Sequence, residues 1–444
     1  MFTTQADSKP IIGLVLLCSG IMILDSTIVA IYSNTSREPV PVINNYIFIS
    51  FIAFFVFINF IFIGYSKQDF LHSKYKHHKF QRIFLWSIIP IQFIVCLLLT
   101  SIVIQLLVYR SYNVSILLSI IYISNSTAVG FLTLLCYQFL GWFRTVRNHL
   151  VLWYALAFSI LLINILISLV FFTLLASSYD PIVKSRAIRI ALLDTTIQSS
   201  GLSNLINVYD YLSIGSFVFA WIPTVILLKT YSLRFGWAKY WLLVTIPIAY
   251  FILPFLFDQM GTFDQLRLEY GRQFNLVYNL FFSPYRQVGA LLFGLAFFMT
   301  AMKIKRKDLR GLVLISGIGM TLLYASTVIH GLSYFVAPPF GLVTVSFVGL
   351  GSYMLSIGIF ASSRELARDE VVRRDLSQIA GKQLSLLRNM GAAEMEKSLI
   401  KNIKPIMEKT IIANDTSLQD PMNQEDYKEM VREILTELKV HKKI

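Results

Sequence analysis

Apolar residues run through this chain in long blocks separated by short polar stretches. Ten blocks reach or approach the ~20 residues that a membrane-crossing helix needs. They cover 11–32, 45–65, 83–109, 114–140, 150–176, 207–228, 240–257, 286–302, 311–331 and 341–361. None alternates apolar with polar positions, and all exceed the strand length of a membrane barrel, so helices must satisfy the backbone in hydrocarbon. The predicted fold is all-α: a polytopic transmembrane helix bundle of about ten spans over 1–361, then a helical cytoplasmic C-terminal tail over 362–444. The first block continues to about Tyr32 without a small-residue cleavage site and reads as a retained span, not a signal peptide.

The polar stretches add three elements. Thr262-Phe-Asp-Gln reads as a capped helix start, and Leu266, Tyr270, Phe274 and Tyr278 recur at i+4, which predicts an amphipathic helix against the face of the membrane or bundle. Residues 182–195 form a second candidate surface helix. In the tail, Val372, Leu376, Ile379, Gln383, Leu386, Met390 and Ala393 alternate spacings of four and three, the pattern of a coiled coil or packed helix. Pro405 should end that helix, and a last one should follow from Asn423 with Tyr427, Val431, Leu435 and Leu438 as its apolar stripe.

Composition agrees with a membrane location: 56% of the 444 residues are hydrophobic and 14% charged, where soluble domains carry about 25% charged residues. Mean hydropathy is +0.64. This excludes a disordered chain, a collagen-like chain and an ordinary soluble enzyme. The net charge of +14 looks at first like a signal of an anionic partner. The tail, with 15 Lys and Arg against 14 Asp and Glu, contributes almost none of it. The loops do: 16 Lys and Arg fall on one side of the ten-span arrangement and 8 on the other. The basic balance is therefore a topology signal that puts both termini in the cytoplasm, and it gives no support to nucleic-acid binding. Trp86, Trp142, Trp153, Trp237 and Trp241 fall near the same basic ends, where an interfacial ring is favourable.

Ionisable residues inside spans are costly in hydrocarbon and are the first candidates for function. Asp25 lies within the first span, Asp210 at the start of the sixth and His330 near the end of the ninth. Asp25 reads either as a proton, cation or ligand contact or as a carboxylate bonded to a neighbouring helix. Asp210 reads as a ligand contact or an interfacial residue, and His330 as a titrating group or a helix-contact residue. With Arg286 and Asp180, Asp194, Asp258, Asp264 and Glu269 they would line an outward-facing pocket. On the basic side, Lys74, Lys76, His77, His78 and Lys79, close to His72, read as a lipid-headgroup patch, since three lysines repel a metal cation. Asn34-Thr-Ser36 has the glycosylation pattern. Cys18, Cys96 and Cys136 each lie in an apolar run, as small hydrophobes do. There is no phosphate-cradling Gly-rich loop, no His-Glu-x-x-His and no Gly-x-Ser-x-Gly, so neither enzymatic chemistry nor a cofactor is expected.

The stretch Ala337-Pro-Pro-Phe-Gly-Leu-Val-Thr-Val-Ser-Phe-Val-Gly-Leu-Gly-Ser-Tyr, running on to Ile-Phe-Ala-Ser-Ser363, resembles a segment of uncharacterised multi-pass membrane proteins of ammonia-oxidising archaea. In layout the chain also looks like the membrane-embedded sensory half of multi-span signalling proteins, whose last span runs directly into a cytoplasmic helix. Both resemblances imply a membrane location. The expected function is a non-enzymatic sensor or signal transducer that couples an outward-facing pocket to the tail. Its partners would be membrane lipids and either a second copy or a cytoplasmic protein bound through 366–438. The alternatives are a secondary transporter or channel, motivated by Asp25, and a structural or assembly subunit of a membrane complex.

Overall fold

A computed structural model of the chain describes residues 8–34, 42–72, 79–109, 111–177, 202–229, 236–304, 306–327, 338–368 and 386–398. Among these there is no strand. The helices are α1 (Ser8–Asn34), α2 (Val42–His72), α3 (Lys79–Tyr109), α4 (Val114–Val146), α5 (His149–Ser177) and α6 (Leu202–Lys229). They continue with α7 (Trp237–Met260), α8 (Asp264–Phe282), α9 (Tyr285–Lys303), α10 (Lys307–Ser326), α11 (Leu342–Arg368) and α12 (386–398). Ten candidate spans are long and apolar enough to cross a membrane, the eighth joining the end of α8 to α9. The protein is a multi-pass helical membrane protein. The chain separates into two compact units, one of Met1–Phe139 with Trp153–Ala361, the other of Leu140–Leu152 with Ser362–Ile444.

In the first unit α10 is buried along nearly all its length, whereas only about a third of α3 and of α7 is buried. The exposed positions are apolar: Leu97 and Ile104 on α3, Leu242 and Ile246 on α7. Lipid tails are as apolar as leucine, so burying such side chains between helices gains little, and close packing of small residues must hold the bundle together. That packing lies between α10 and α11. A Cβ at Gly351 would sit 2.6 Å from the Leu323 nitrogen, and one at Gly358 2.7 Å from the Leu312 carbonyl oxygen. Gly319 in turn lies against the Leu355 backbone. On the other flank of α10, Gly294 of α9 lies on Thr321. Glycines let these backbones touch directly, and the resulting dispersion contact supplies what the hydrophobic effect supplies in water.

The predicted amphipathic helix is α8, and it differs from expectation in two ways. The helix starts at Asp264, so Phe263 and not Thr262 directly precedes it, and the Thr262 N–H bonds the Phe257 carbonyl at 3.2 Å in the turn that closes α7. Gly271, at φ 46° and ψ −110°, kinks the helix. The expected i+4 face is broken there, leaving Leu266 and Tyr270 exposed while Phe274 and Tyr278 stack on each other at 5.8 Å. Phe263, Phe257 and Phe282 complete that aromatic cluster.

In the second unit Leu386, Met390 and Ala393, three members of the predicted heptad stripe, are buried within this one chain, and Gly391 packs against Leu366. The other stripe positions lie outside the described residues, as do the candidate helices at 182–195 and after Asn423. Glu394 of α12 accepts the Trp142 indole N–H at 3.2 Å and pairs with Arg364 of α11 at 3.6 Å. Trp142 is therefore no interfacial ring: it is 2% exposed, because its donor is used inside the protein, while Trp86 and Trp237 are 66% and 76% exposed. The three cysteines are buried free thiols.

Candidate functional site

Three core helices end at one level near the bundle end that holds Asp25. The N-termini of α9 and α11 and the C-terminus of α10 meet there. Asp25 lies nine residues before the end of α1, about 13 Å along the axis, and Tyr209 seven residues after the start of α6, about 10 Å. The surrounding helices therefore extend past this level.

Asp25 is fully buried and serves as the N-cap of a helix far away in sequence. The chain enters α11 through Gly341 at φ 88°, a backbone conformation that only glycine adopts freely. Phe340, beside it, is held by edge contacts to Phe48 and Phe51 of α2. The Val345 N–H bonds the Gly341 carbonyl, so Gly341 occupies the capping position without a side chain to cap with. Asp25 supplies the missing group from α1. Its Oδ1 accepts the Gly341 N–H at 2.8 Å, and its Oδ2 accepts the Thr344 N–H at 3.2 Å and the Thr344 hydroxyl at 2.7 Å. Two otherwise unsatisfied donors at the helix start are thereby paired, and a carboxylate at the positive end of a helix is favourable.

Arg286 is 5% exposed and stands one residue into α9, where the helix dipole opposes a cation. Acceptors offset this. Its Nε donates to the Tyr285 hydroxyl at 2.9 Å, and its Nη1 donates to the Tyr209 hydroxyl at 3.0 Å and to the Thr327 carbonyl. The Thr327 carbonyl lies just past the end of α10, the negative end of that dipole. Asp210 approaches Nη2 at 3.9 Å and remains about one-third exposed. The guanidinium also lies 5.2 Å from the Tyr209 ring centre and 5.5 Å from that of Tyr285, within cation–π range. Replacing Arg286 with lysine should lower stability by about 1–3 kcal/mol, because one ammonium cannot reproduce this planar fork. A thermal-unfolding cycle with Tyr209→Phe should show non-additive losses, and strict additivity would mean that the two side chains are not coupled.

The next residue ties the two centres together. Gln287, fully buried, donates its Nε2 to the Ser26 hydroxyl at 2.8 Å, and Thr27 bonds Ser283 at 2.7 Å. Beside Arg286, a cavity of about 10 Å³ is lined by Asn125, Asn164, Ser168, Tyr209, Ser326 and Thr327 among its polar residues. Asn164 donates to the Ser213 hydroxyl at 2.8 Å.

The predicted pocket residues meet different fates. Asp210 and Arg286 come together, and the Ser26–Gln287 bond links the residue after Asp25 to the residue after Arg286. His330, Asp180 and Asp194 lie outside the described residues, as do Lys74, Lys76, His77 and His78; Lys79 opens α3. Asp264 and Glu269 are exposed on α8. Sequence reasoning missed Tyr209, Thr327, Asn164 and Gln287. Asn164 interrupts an otherwise apolar run, a signal of the same kind as Asp25. Compared with known family models, with curated proteins and with solved structures, the chain has no match.

Proposed function

We propose that this multi-pass membrane protein is a non-enzymatic sensor or signal transducer, with both termini in the cytoplasm and the Asp25–Arg286 level facing outward. The observation that carries the reading is α11. It runs without interruption from Leu342 to Arg368, taking its N-cap from Asp25 and, in its last turns, pairing Arg364 with Glu394. A change at the outer level that alters the cap would act on the helix that carries Arg364, the partner of Glu394. A small polar or ionic stimulus suits the groups at that level. Asp25 commits both carboxylate oxygens to α11, which favours a coupling role over the ion-carrying role that a transporter would give it.

Hydrogen exchange on the full chain in nanodiscs tests this. Asp25→Asn should raise amide exchange within 386–398 about tenfold, equivalent to roughly 1.4 kcal/mol. Asn59→Leu, which breaks the Asn59–Gln92 bond elsewhere in the bundle, serves as the control for general loosening. Unchanged exchange at 386–398 alongside faster exchange at 341–345 would sink the coupling. Solute flux in proteoliposomes that falls with Asp25→Asn would favour the transporter instead.

A further inference from the structure

We propose that the polar cavity between α4, α5, α6, α10 and α11 is a binding site for a single water molecule, held by Asn164 and Tyr209. Its size selects the ligand class. About 10 Å³ is the room of one water-sized sphere, too little for an organic solute. The lining selects it again. Asn164 is 1% exposed and its Oδ1 has no hydrogen-bond partner among the described residues, although a buried amide oxygen in hydrocarbon should have one. The Tyr209 hydroxyl donates to the Thr327 carbonyl at 3.1 Å and accepts from Arg286, which leaves one lone pair. Asn125 and Ser168, whose side chains carry donors, line the same space. A water can donate one proton to Asn164 Oδ1 and the other to Tyr209 Oη, and accept from Asn125 or Ser168.

Ions fit less well. A cation would sit beside the buried Arg286, with which Tyr209 and Thr327 are in direct contact. An anion would face the lone pairs of Asn164 Oδ1. Turning that amide over exchanges its acceptor for its donor, and water suits either orientation whereas an ion suits only one. The bound water would join Asn164 of α5 to the Tyr209–Arg286 pair. Hydration of this cavity thereby belongs to the same network that fixes Arg286, whatever the protein's wider role.

A cryo-electron microscopy map of the full chain in nanodiscs, at a resolution that shows waters, tests the proposal. One compact peak is expected, about 2.7–3.2 Å from both Asn164 Oδ1 and Tyr209 Oη. Asn164→Leu should abolish it, and if the leucine variant fails to fold, Tyr209→Phe, a milder change that removes the second acceptor, should weaken it. A dry cavity, or density too large for one water, would overturn the assignment. Thermal-unfolding curves should also superimpose in chloride and gluconate, and in sodium and N-methylglucamine. A midpoint that climbs with the concentration of either small ion would give the site to that ion and refute the water.

Discussion

Replacing Gly319 with leucine should abolish the folded bundle, whereas the same change at Gly20 should leave it intact. Both glycines lie in membrane-length helices, so propensity acts alike on both and favours leucine by up to about 1 kcal/mol. The surroundings decide the outcome. A Cβ at Gly20 meets no atom of the described residues within 4 Å. One at Gly319 falls on the Leu355 backbone and 2.8 Å from the Gly351 carbonyl oxygen. Backbone cannot rotate away as a side chain can, so α10 and α11 must separate. Overpacking against mobile side chains already costs about 1–3 kcal/mol. Prising apart the most buried helix pair should exceed that and consume much of a total stability of about 5–15 kcal/mol. Monodisperse yield on size exclusion and the thermal midpoint read the effect. Equal midpoints for the two variants would mean that the α10–α11 contact does not hold the bundle together.

That contrast also separates what was legible in the sequence from what was not. Span positions follow from hydrophobic runs because the bilayer imposes one physical requirement on every crossing segment. The short predicted run 286–302 is accordingly found as α9, Tyr285–Lys303. Which spans form the centre is not what a simple apolar-means-buried rule would give: α3 is the more apolar sequence yet only a third of it is buried, whereas the less apolar α10 is almost wholly buried. The signal lay in small residues: Ser316, Gly319, Gly351 and Gly358 stand at helical spacing, but their meaning appears only when the two helices are placed side by side. Trp142 shows the converse error. A tryptophan near a basic span end is usually interfacial, yet Glu394, far along the chain, satisfies its indole. Asp25 was found for the right reason, its cost in hydrocarbon. Its partners at 341 and 344 are hundreds of residues away, and no periodicity points across such a gap.

Asp25→Ala should be far more damaging than Asp25→Asn, and the difference tests what Asp25 does. Alanine removes every acceptor. The Gly341 and Thr344 N–H groups are then stranded where water does not reach, each at about 1–3 kcal/mol, while the Thr344 hydroxyl can turn toward a carbonyl of its own helix. A total loss of about 2–6 kcal/mol is expected. Asparagine caps helices about as well as aspartate. Its one oxygen can keep the Gly341 N–H and its amide can donate to Thr344 Oγ1, leaving the Thr344 N–H as the single stranded group. The expected loss falls to about 1–3 kcal/mol. Thermal unfolding in detergent ranks the variants, and hydrogen exchange should show the defect at 341–345 together with the rise at 386–398. A carboxylate whose task was to carry an ion or proton would give another pattern: both variants equally inert in function, and both close to the parent in stability. Near-equal unfolding midpoints for the parent, Asp25→Asn and Asp25→Ala would therefore remove the capping role, and with it the link between Asp25 and the start of α11.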